Sequence, residues 1–244
     1  MFLLPAHGLI GVVALVVAAG GFEWARLCRL SRRLSYLYGG LAALLFALPA
    51  WLGEARPFIA LGAAFWALAA PLWMRRGVAP AHGRLLAAAG LVVLVPAGLA
   101  LIALTPLQAL LTLGLTWVAD TAAYFSGRRF GRHKLAPVIS PSKTWEGVGG
   151  ALLATLAYAI ICAKVAPILQ GISGSSWGGY LAAALLLLAA SILGDLFESA
   201  AKRQASVKDS GALLPGHGGL LDRIDSATGT LPFAALLWPL IGPQ

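Results

Sequence analysis

Long apolar runs alternate with short polar loops along the whole chain. The runs match the roughly 20 helical residues that cross the hydrocarbon core of a bilayer, and the sequence contains no segment typical of a separate soluble domain. The pattern therefore predicts an all-α, polytopic integral membrane protein with about eight transmembrane helices. The predicted helices lie at residues 3–22, 35–52, 57–74, 85–105, 107–126, 147–168, 178–197 and 226–242.

The composition supports the same fold class. Of the 244 residues, 59% are hydrophobic and 11% are charged, which is too little polar surface to cover a soluble domain of this size. The net charge of +9 would suit a nucleic-acid partner, but the cations lie in short loops between apolar runs and no nucleic-acid motif is present. We therefore expect a lipid bilayer, and no nucleic acid, as a partner.

The basic residues are confined to alternate loops. Apart from Arg56 and Lys164, every Lys and Arg lies in loop 23–34, 75–84, 127–146 or 198–225. The positive-inside rule places these four loops in the cytoplasm and both chain termini on the other side. Residues 1–105 contain few other polar groups, so we expect a scaffold there and the chemistry in residues 106–244.

Three predicted helices carry carboxylates at the ends that face the cytoplasm. The carboxylates are Asp120 in the fifth helix, Asp195 and Glu198 in the seventh, and Asp222 and Asp225 in the eighth. Acids at a membrane edge are costly and indicate function. Because the three ends share one side, we expect a cytoplasmic-side polar active site that binds Mg²⁺, which prefers a few carboxylates together with phosphate oxygens. The alternative for each acid is a helix cap or a salt bridge to a nearby Arg.

Residues 199–225 place many charges beside a Gly-rich turn. Gly216, Gly218 and Gly219 allow close approach of the backbone to a ligand, and successive N–H groups in such a turn bind anions. His217 lies inside this turn, in the segment LPGHGG. A plain tight turn is the alternative for the glycines alone. The neighbouring cations that favour anion binding are Lys202, Arg203, Lys208 and Arg223, and Asp209 directly follows Lys208.

A second polar cluster, ISPSKTWEG, occupies residues 139–147. Its Lys143 and Ser140 have the chemistry to hold a phosphate. Thr144 followed by Glu146 also predicts a helix start, with Thr144 as the N-cap. The two interpretations are compatible, because a helix N-terminus itself binds anions.

In these residues the chain resembles the phosphatidate cytidylyltransferases, also called CDP-diacylglycerol synthases. The family's signature is S-x-x-K-R-x4-K-D-x-G-x2-L-P-G-H-G-G-x-x-D-R-x-D, and residues 199–225 match it throughout. The segments DTAAYFSGRRFGRHK from Asp120 and SPSKTWEG from Ser140 match as well. Ala201 stands where the family usually has a larger apolar residue, a difference expected to affect packing. The resemblance covers residues 115–230, and the N-terminal third in hydropathy alone.

The resemblance implies an enzyme that converts CTP and phosphatidate into CDP-diacylglycerol and pyrophosphate, in a bacterial-type inner membrane. It implies Mg²⁺ as the cofactor, with a second cation as an option, and residues 106–244 as the catalytic domain. The metal ligands we expect are Asp195 and Asp222, supported by Asp225 and Asp120. The expected catalytic residues are Asp195, Asp222, Asp225, Lys143, Lys208 and Arg223. The residues expected to bind substrate are Ser140, Lys143, Lys202, Arg203, Lys208, Asp209, Gly216, His217, Gly218, Gly219, Asp120 and Tyr124.

Two other classes of protein fit part of this pattern. A related CTP-using lipid enzyme, such as a polyprenol or phytol kinase or an archaeal-lipid cytidylyltransferase, would need a similar basic, acid-lined mouth. An anion or lipid transporter would need polar residues along the membrane midplane, and the first four predicted helices have almost none. The sequence leaves the acyl-chain preference and the oligomeric state open, with a homodimer as one option.

Overall fold

The computed structural model describes residues 6–169, 176–213, 216 and 218–241. Within these residues the chain forms eight long helices and one antiparallel hairpin of two strands. The helices are α1 Ala6–Leu27, α2 Arg32–Leu52, α3 Arg56–Arg76, α4 Gly83–Ala103, α5 Pro106–Phe130, α6 Trp145–Val165, α7 Ser176–Gln204 and α8 Leu221–Ile241. The strands are β1 Lys134–Ala136 and β2 Ser140–Thr144.

These helices confirm the predicted fold class. Among the described residues, seven helices are long and apolar enough to cross a membrane. The eighth, α5, is 25 residues long but carries Gln108 and Asp120 in its apolar stretch. Each predicted span overlaps one of the eight helices, and the chain is a multi-pass membrane protein.

Two helices extend further into the charged segment than the apolar pattern predicts. Helix α7 continues to Gln204, and α8 already begins at Leu221. The added turns carry charges that neutralise each other, since Lys202 of α7 forms ion pairs with Glu198 and with Asp222 in the first turn of α8. The pairing allows these polar turns to remain helical and packed.

Glycines bring α7 and α8 into main-chain contact. A Cβ atom on Gly194 would collide with the carbonyl oxygen of Asp225, and one on Gly229 would collide with the carbonyl oxygen of Ala190. Small residues at a crossing point let two membrane helices approach closely. Asp195 and Asp225, next to this crossing, are therefore held beside each other.

The N-terminal helices pack directly on α7 through a cluster of aromatic rings. Phe197 is fully buried, and four rings from α1 and α3 surround it at centroid distances of 5.4 to 6.2 Å. Those rings belong to Trp24, Phe65, Trp66 and Trp73. Part of α3 is a π-helical turn at Phe65–Ala69, which changes the direction of the side chains in this region. Residues of the predicted scaffold thus support the helix that carries Asp195.

Candidate active site

A cavity of about 590 Å³ lies between α5, α6, α7, the start of α8 and the hairpin. This volume is within the range of sites that bind small molecules. Its apolar side includes Leu188 and Ile192, two turns and one turn along α7 from Asp195. The charged and hydroxyl-bearing lining consists of Asp120, Tyr124, Arg128, Lys134, Ser142, Lys143, Thr144, Asp195, Asp222 and Asp225. The structure thus brings the four predicted metal ligands to one cavity.

Lys143 and Asp195 form an ion pair at the cavity wall. Lys143 comes from β2, whereas Asp195 comes from α7, where the Ser199 hydroxyl donates to the other carboxylate oxygen at 3.3 Å. Directly after Lys143, the Thr144 hydroxyl oxygen accepts a hydrogen bond from the Gly147 N–H at 3.1 Å and caps α6. The predicted helix start is confirmed, and it anchors the strand that presents Lys143.

Asp222 is held on both of its carboxylate oxygens. Lys202 Nζ lies 2.7 Å from Oδ1. The N–H groups of Ser210 and Gly219 donate to Oδ2 at 3.1 and 2.9 Å, and the Ser210 hydroxyl lies 3.1 Å from the same oxygen. The Ser210 and Gly219 donors lie in the loop before α8. The conformation of that loop, together with Lys202 of α7, therefore sets where the Asp222 carboxylate points.

Asp120 and Asp225 meet at a serine of α8. The Ser226 hydroxyl donates to Asp120 Oδ2 at 3.1 Å, which links α5 to α8. The Ser226 N–H donates to Asp225 Oδ1 at 2.8 Å. One turn after Asp120, the Tyr124 hydroxyl oxygen accepts from Arg128 at 3.0 Å. The carboxylates at this side of the cavity are therefore joined through Ser226.

The acids of the cavity are paired with lysines and serines. Within the described part of the chain, no group of three or more His, Cys, Asp or Glu side chains is close enough to hold a metal ion. The ligands available at the cavity are all oxygen atoms. Such a set suits a cation that takes one or two carboxylates and completes its shell with phosphate oxygens and water. The assignment of metal ligands stays a prediction.

Nine described residues of the predicted site lie outside the cavity lining. They are Ser140, Lys202, Arg203, Lys208, Asp209, Arg223, Gly216, Gly218 and Gly219. Arg203 Nε donates to the carbonyl oxygen of Ile139 at 3.1 Å and so ties the end of α7 to the hairpin. Lys208 and Asp209 are exposed in the loop that follows α7. Their roles in substrate binding stay predictions.

The glycine turn is partly described. Gly216 and Gly218 have φ angles of 76° and 84°, in the left-handed region that glycine adopts without strain. Gly219 is buried, and its N–H already donates to Asp222. His217 lies outside the described residues. Anion binding by this turn stays a prediction.

Sequence reasoning missed a buried acid in the first helix. Glu23 of α1 is 2% exposed, and its carboxylate accepts hydrogen bonds from Ser210 and Leu220 in the loop before α8 and from Leu221, the first residue of α8. A carboxylate at the end of an apolar run was visible in the sequence. The argument applied to Asp120, that such acids indicate function, would have selected it too.

The fold and the cavity define a class: a polytopic membrane protein whose cavity combines lysines, carboxylates and hydroxyls below an apolar wall. Comparison with known proteins makes the class specific. The sequence profile of the Cytidylyltransferase family matches residues 1–241. The chain belongs to this family and is a nucleotidyltransferase, as its resemblance over residues 199–225 led us to expect.

Several curated relatives share the same name. A phosphatidate cytidylyltransferase of Pseudomonas aeruginosa is 41% identical over 260 aligned residues, which cover 97% of this chain and 90% of that protein. One from Haemophilus influenzae is 49% identical over 49% of this chain and 41% of its own length. One from Thermotoga maritima is 41% identical over 55% of this chain and 50% of its own length.

Proposed function

We propose that this chain is a phosphatidate cytidylyltransferase, which joins the cytidylyl group of CTP to the phosphate of phosphatidate and releases pyrophosphate. The observation that carries the proposal is the shared lining of one cavity by Lys143, Asp195 and Asp222 in a chain of the cytidylyltransferase family. The names of the relatives support phosphatidate as the acceptor. The apolar wall at Leu188 and Ile192 suits an acceptor that remains in the lipid phase.

In the proposed reaction a phosphate oxygen of phosphatidate forms a bond to the α-phosphorus of CTP. The bond from that phosphorus to the oxygen shared with the β-phosphate breaks, and its electrons leave with pyrophosphate. Both reactants are anions, so the main task of the site is to neutralise and align them. No covalent intermediate with the protein is needed.

The cations that line the cavity support this proposal. Lys143 and Lys134 come from the hairpin, and Arg128 comes from the last turns of α5. In the structure Lys143 is paired with Asp195. When a phosphate enters, the ammonium of Lys143 donates to the phosphate oxygens as well. The ion pair holds the lysine in position before the substrate arrives, which reduces the entropy lost on binding.

The carboxylates fit Mg²⁺, because all donors are oxygen atoms and substrate phosphates complete its coordination. Asp195 and Asp222 would hold the ion, with Asp225 and Asp120 as further ligands or as the site of a second cation. When bound, Mg²⁺ supplies positive charge to the phosphate oxygens. The Ser199 hydroxyl and the Ser210 N–H orient the two acids toward that task.

We place the cavity on the cytoplasmic side of a bacterial inner membrane. The basic loops support this orientation, because nearly all Lys and Arg residues lie on the side of the membrane where the cavity acids end their helices. The basic loops also suit anionic lipid head groups, which attract each nearby Lys or Arg by about 1 kcal/mol.

The test is an assay of the purified full-length protein in detergent with phosphatidate, Mg²⁺ and CTP labelled at the α-phosphate. Label in CDP-diacylglycerol, with one pyrophosphate released per lipid product, is the expected result. Label in free CDP together with a phosphorylated lipid would instead identify a CTP-dependent lipid kinase. No conversion of the nucleotide at any Mg²⁺ concentration would reject the proposed cytidylyltransferase.

A further inference from the structure

Glu23 is a buried acid in a helix that the sequence assigns to scaffold. It lies near the C-terminal end of α1 and is 2% exposed. Burial of a carboxylate is unfavourable unless hydrogen bonds or a counter-ion compensate for the lost water. Among the described residues, Glu23 forms no ion pair with a Lys or Arg. Its compensation must therefore come from hydrogen-bond donors.

Those donors all lie in two distant stretches, residues 210–211 and residues 218–221 at the start of α8, which we together name the clamp loop. Leu220 N–H donates to Glu23 Oε1 at 3.0 Å, and Leu221 N–H donates to Oε2 at 2.9 Å. At the other end of the clamp loop, the Ser210 hydroxyl lies 3.0 Å from Oε2. One carboxylate thus joins the two ends of the loop to α1.

The glycines of the clamp loop fit around this carboxylate. A Cβ atom on Gly211 would lie 2.5 Å from Glu23 Oε1, and a Cβ atom on Gly219 would lie 2.7 Å from Oε2. Both distances are too short for carbon and oxygen atoms that are not bonded. These two glycines therefore leave the space that the Glu23 carboxylate occupies and, at Gly219, the space of the Ser210 hydroxyl as well.

The clamp loop connects Glu23 to Asp222. The N–H groups of Ser210 and Gly219, which hold Asp222 Oδ2, lie in the two stretches of the clamp loop that Glu23 contacts. The Ser210 hydroxyl lies 3.0 Å from Glu23 Oε2 and 3.1 Å from Asp222 Oδ2, so one hydroxyl contacts both acids. A shift of the clamp loop would move the donors of Asp222 with it.

The geometry points to Glu23 as a positioning residue for the reaction: it fixes the clamp loop, and the loop aims the Asp222 carboxylate into the cavity. The inference rests on the proposed function for its kinetic consequence. Glu23 does not line the cavity, so it acts through Ser210 and Gly219 and not on the substrates. Through this loop, a residue of α1 orients a carboxylate of α8.

The experiment compares Glu23→Gln, Glu23→Asp and the wild-type protein in detergent. The glutamine keeps the shape but turns an NH₂ group toward backbone donors, so the loop loses part of its anchor. The aspartate keeps the charge on a shorter chain. Glu54→Gln is the matched control, because Glu54 is an exposed acid just beyond the end of α2.

The first readout does not require activity. Hydrogen–deuterium exchange of peptides that cover residues 208–222 reports on the N–H groups of the clamp loop. We expect faster exchange there in Glu23→Gln, partial recovery in Glu23→Asp and no change in Glu54→Gln. Wild-type exchange in Glu23→Gln would overturn the inference.

The second readout is kinetic. With rates normalised to folded protein, kcat of Glu23→Gln should fall about 10–100-fold, as for partners that orient a metal ligand. The Mg²⁺ concentration for half-maximal rate should rise, while KM for phosphatidate stays unchanged. A lower Tm with unchanged kcat and Mg²⁺ dependence would overturn the positioning role, since Glu23 would then affect folding alone. If the wild type lacks the proposed activity, the proposed function fails, and the exchange comparison still decides whether Glu23 fixes the loop.

Discussion

Lys202 is the counter-ion of two acids in the protein interior, so its removal tests how charge is balanced around the site. Its side chain is 13% exposed, against 4% for Glu198 and 13% for Asp222. Lys202 Nζ lies 2.6 Å from Glu198 Oε2. Neither oxygen of Glu198 has a well-aligned hydrogen bond to any described residue. Lys202→Met therefore leaves Glu198 buried without a neutralising group.

The expected cost follows from these distances. Two unit charges 2.7 Å apart, as for Lys202 and Asp222, attract each other by about 6 kcal/mol at an effective dielectric constant of about 20. Part of this attraction is offset by the water that the charges lose. Loss of one partner of a buried pair typically destabilises a protein by about 3–5 kcal/mol. In a chain of this length each kcal/mol shifts Tm by about 2–4 °C, so Tm should fall by about 6–20 °C.

The assay is thermal unfolding in detergent, followed by tryptophan fluorescence. The double variant Lys202→Met with Glu198→Gln should regain a large part of the lost Tm, because it removes the uncompensated charge. Lys208→Met is the control at an exposed lysine, where a change within about 0.5 kcal/mol is typical. A Tm of Lys202→Met within about 2 °C of the wild type would refute the reasoning, since less than about 1 kcal/mol would then be at stake.

Three further outcomes are expected. Asp222→Asn should abolish CDP-diacylglycerol formation while its helical circular dichroism and monodispersity match the wild type; a wild-type rate would remove Asp222 from the metal site. A chelator such as EDTA should stop the reaction, and excess Mg²⁺ should restore it in the same sample, whereas an insensitive rate would contradict the metal assignment. Gly229→Ala should lower Tm, because the added Cβ collides with the main chain of α7. Gly149 has open space around it. Gly149→Ala should therefore raise or preserve Tm, since helix propensity alone favours Ala by about 1 kcal/mol. Equal melting temperatures for the two glycine variants would argue against the close crossing.

The positions of the helices could be predicted because hydropathy depends on local sequence. The helix ends could not be predicted in this way, since the polar turns of α7 up to Gln204 are stabilised by one ion pair within α7 and one with α8. An apolar pattern does not reveal such pairing. The hairpin at Lys134–Thr144 was also missed, because its short strands lack a regular alternation of apolar and polar residues. In a membrane protein hydropathy is the strongest local signal, and hydropathy locates the membrane spans.

In the candidate site, too, the residue types could be predicted from local sequence, whereas the contacts between distant residues could not. Lys143 and Asp195 were selected by residue type and by resemblance, but nothing in the sequence predicts that they form a pair 52 positions apart. Glu23 was passed over because its neighbours are apolar and it lies outside the matching segments. Contacts between distant segments depend on how the helices pack, and packing is a property of the whole fold.

The contact of α7 and α8 at Gly194 and Gly229 joins the two main chains with no side chain between them. The pair is also held away from this point, because Tyr180 of α7 donates to the carbonyl oxygen of Ala159 and Trp238 of α8 donates to the Thr112 hydroxyl. Asp195 and Asp225 lie beside the glycine contact. The separation of their main chains is therefore set by backbone packing and not by the choice of side-chain rotamers.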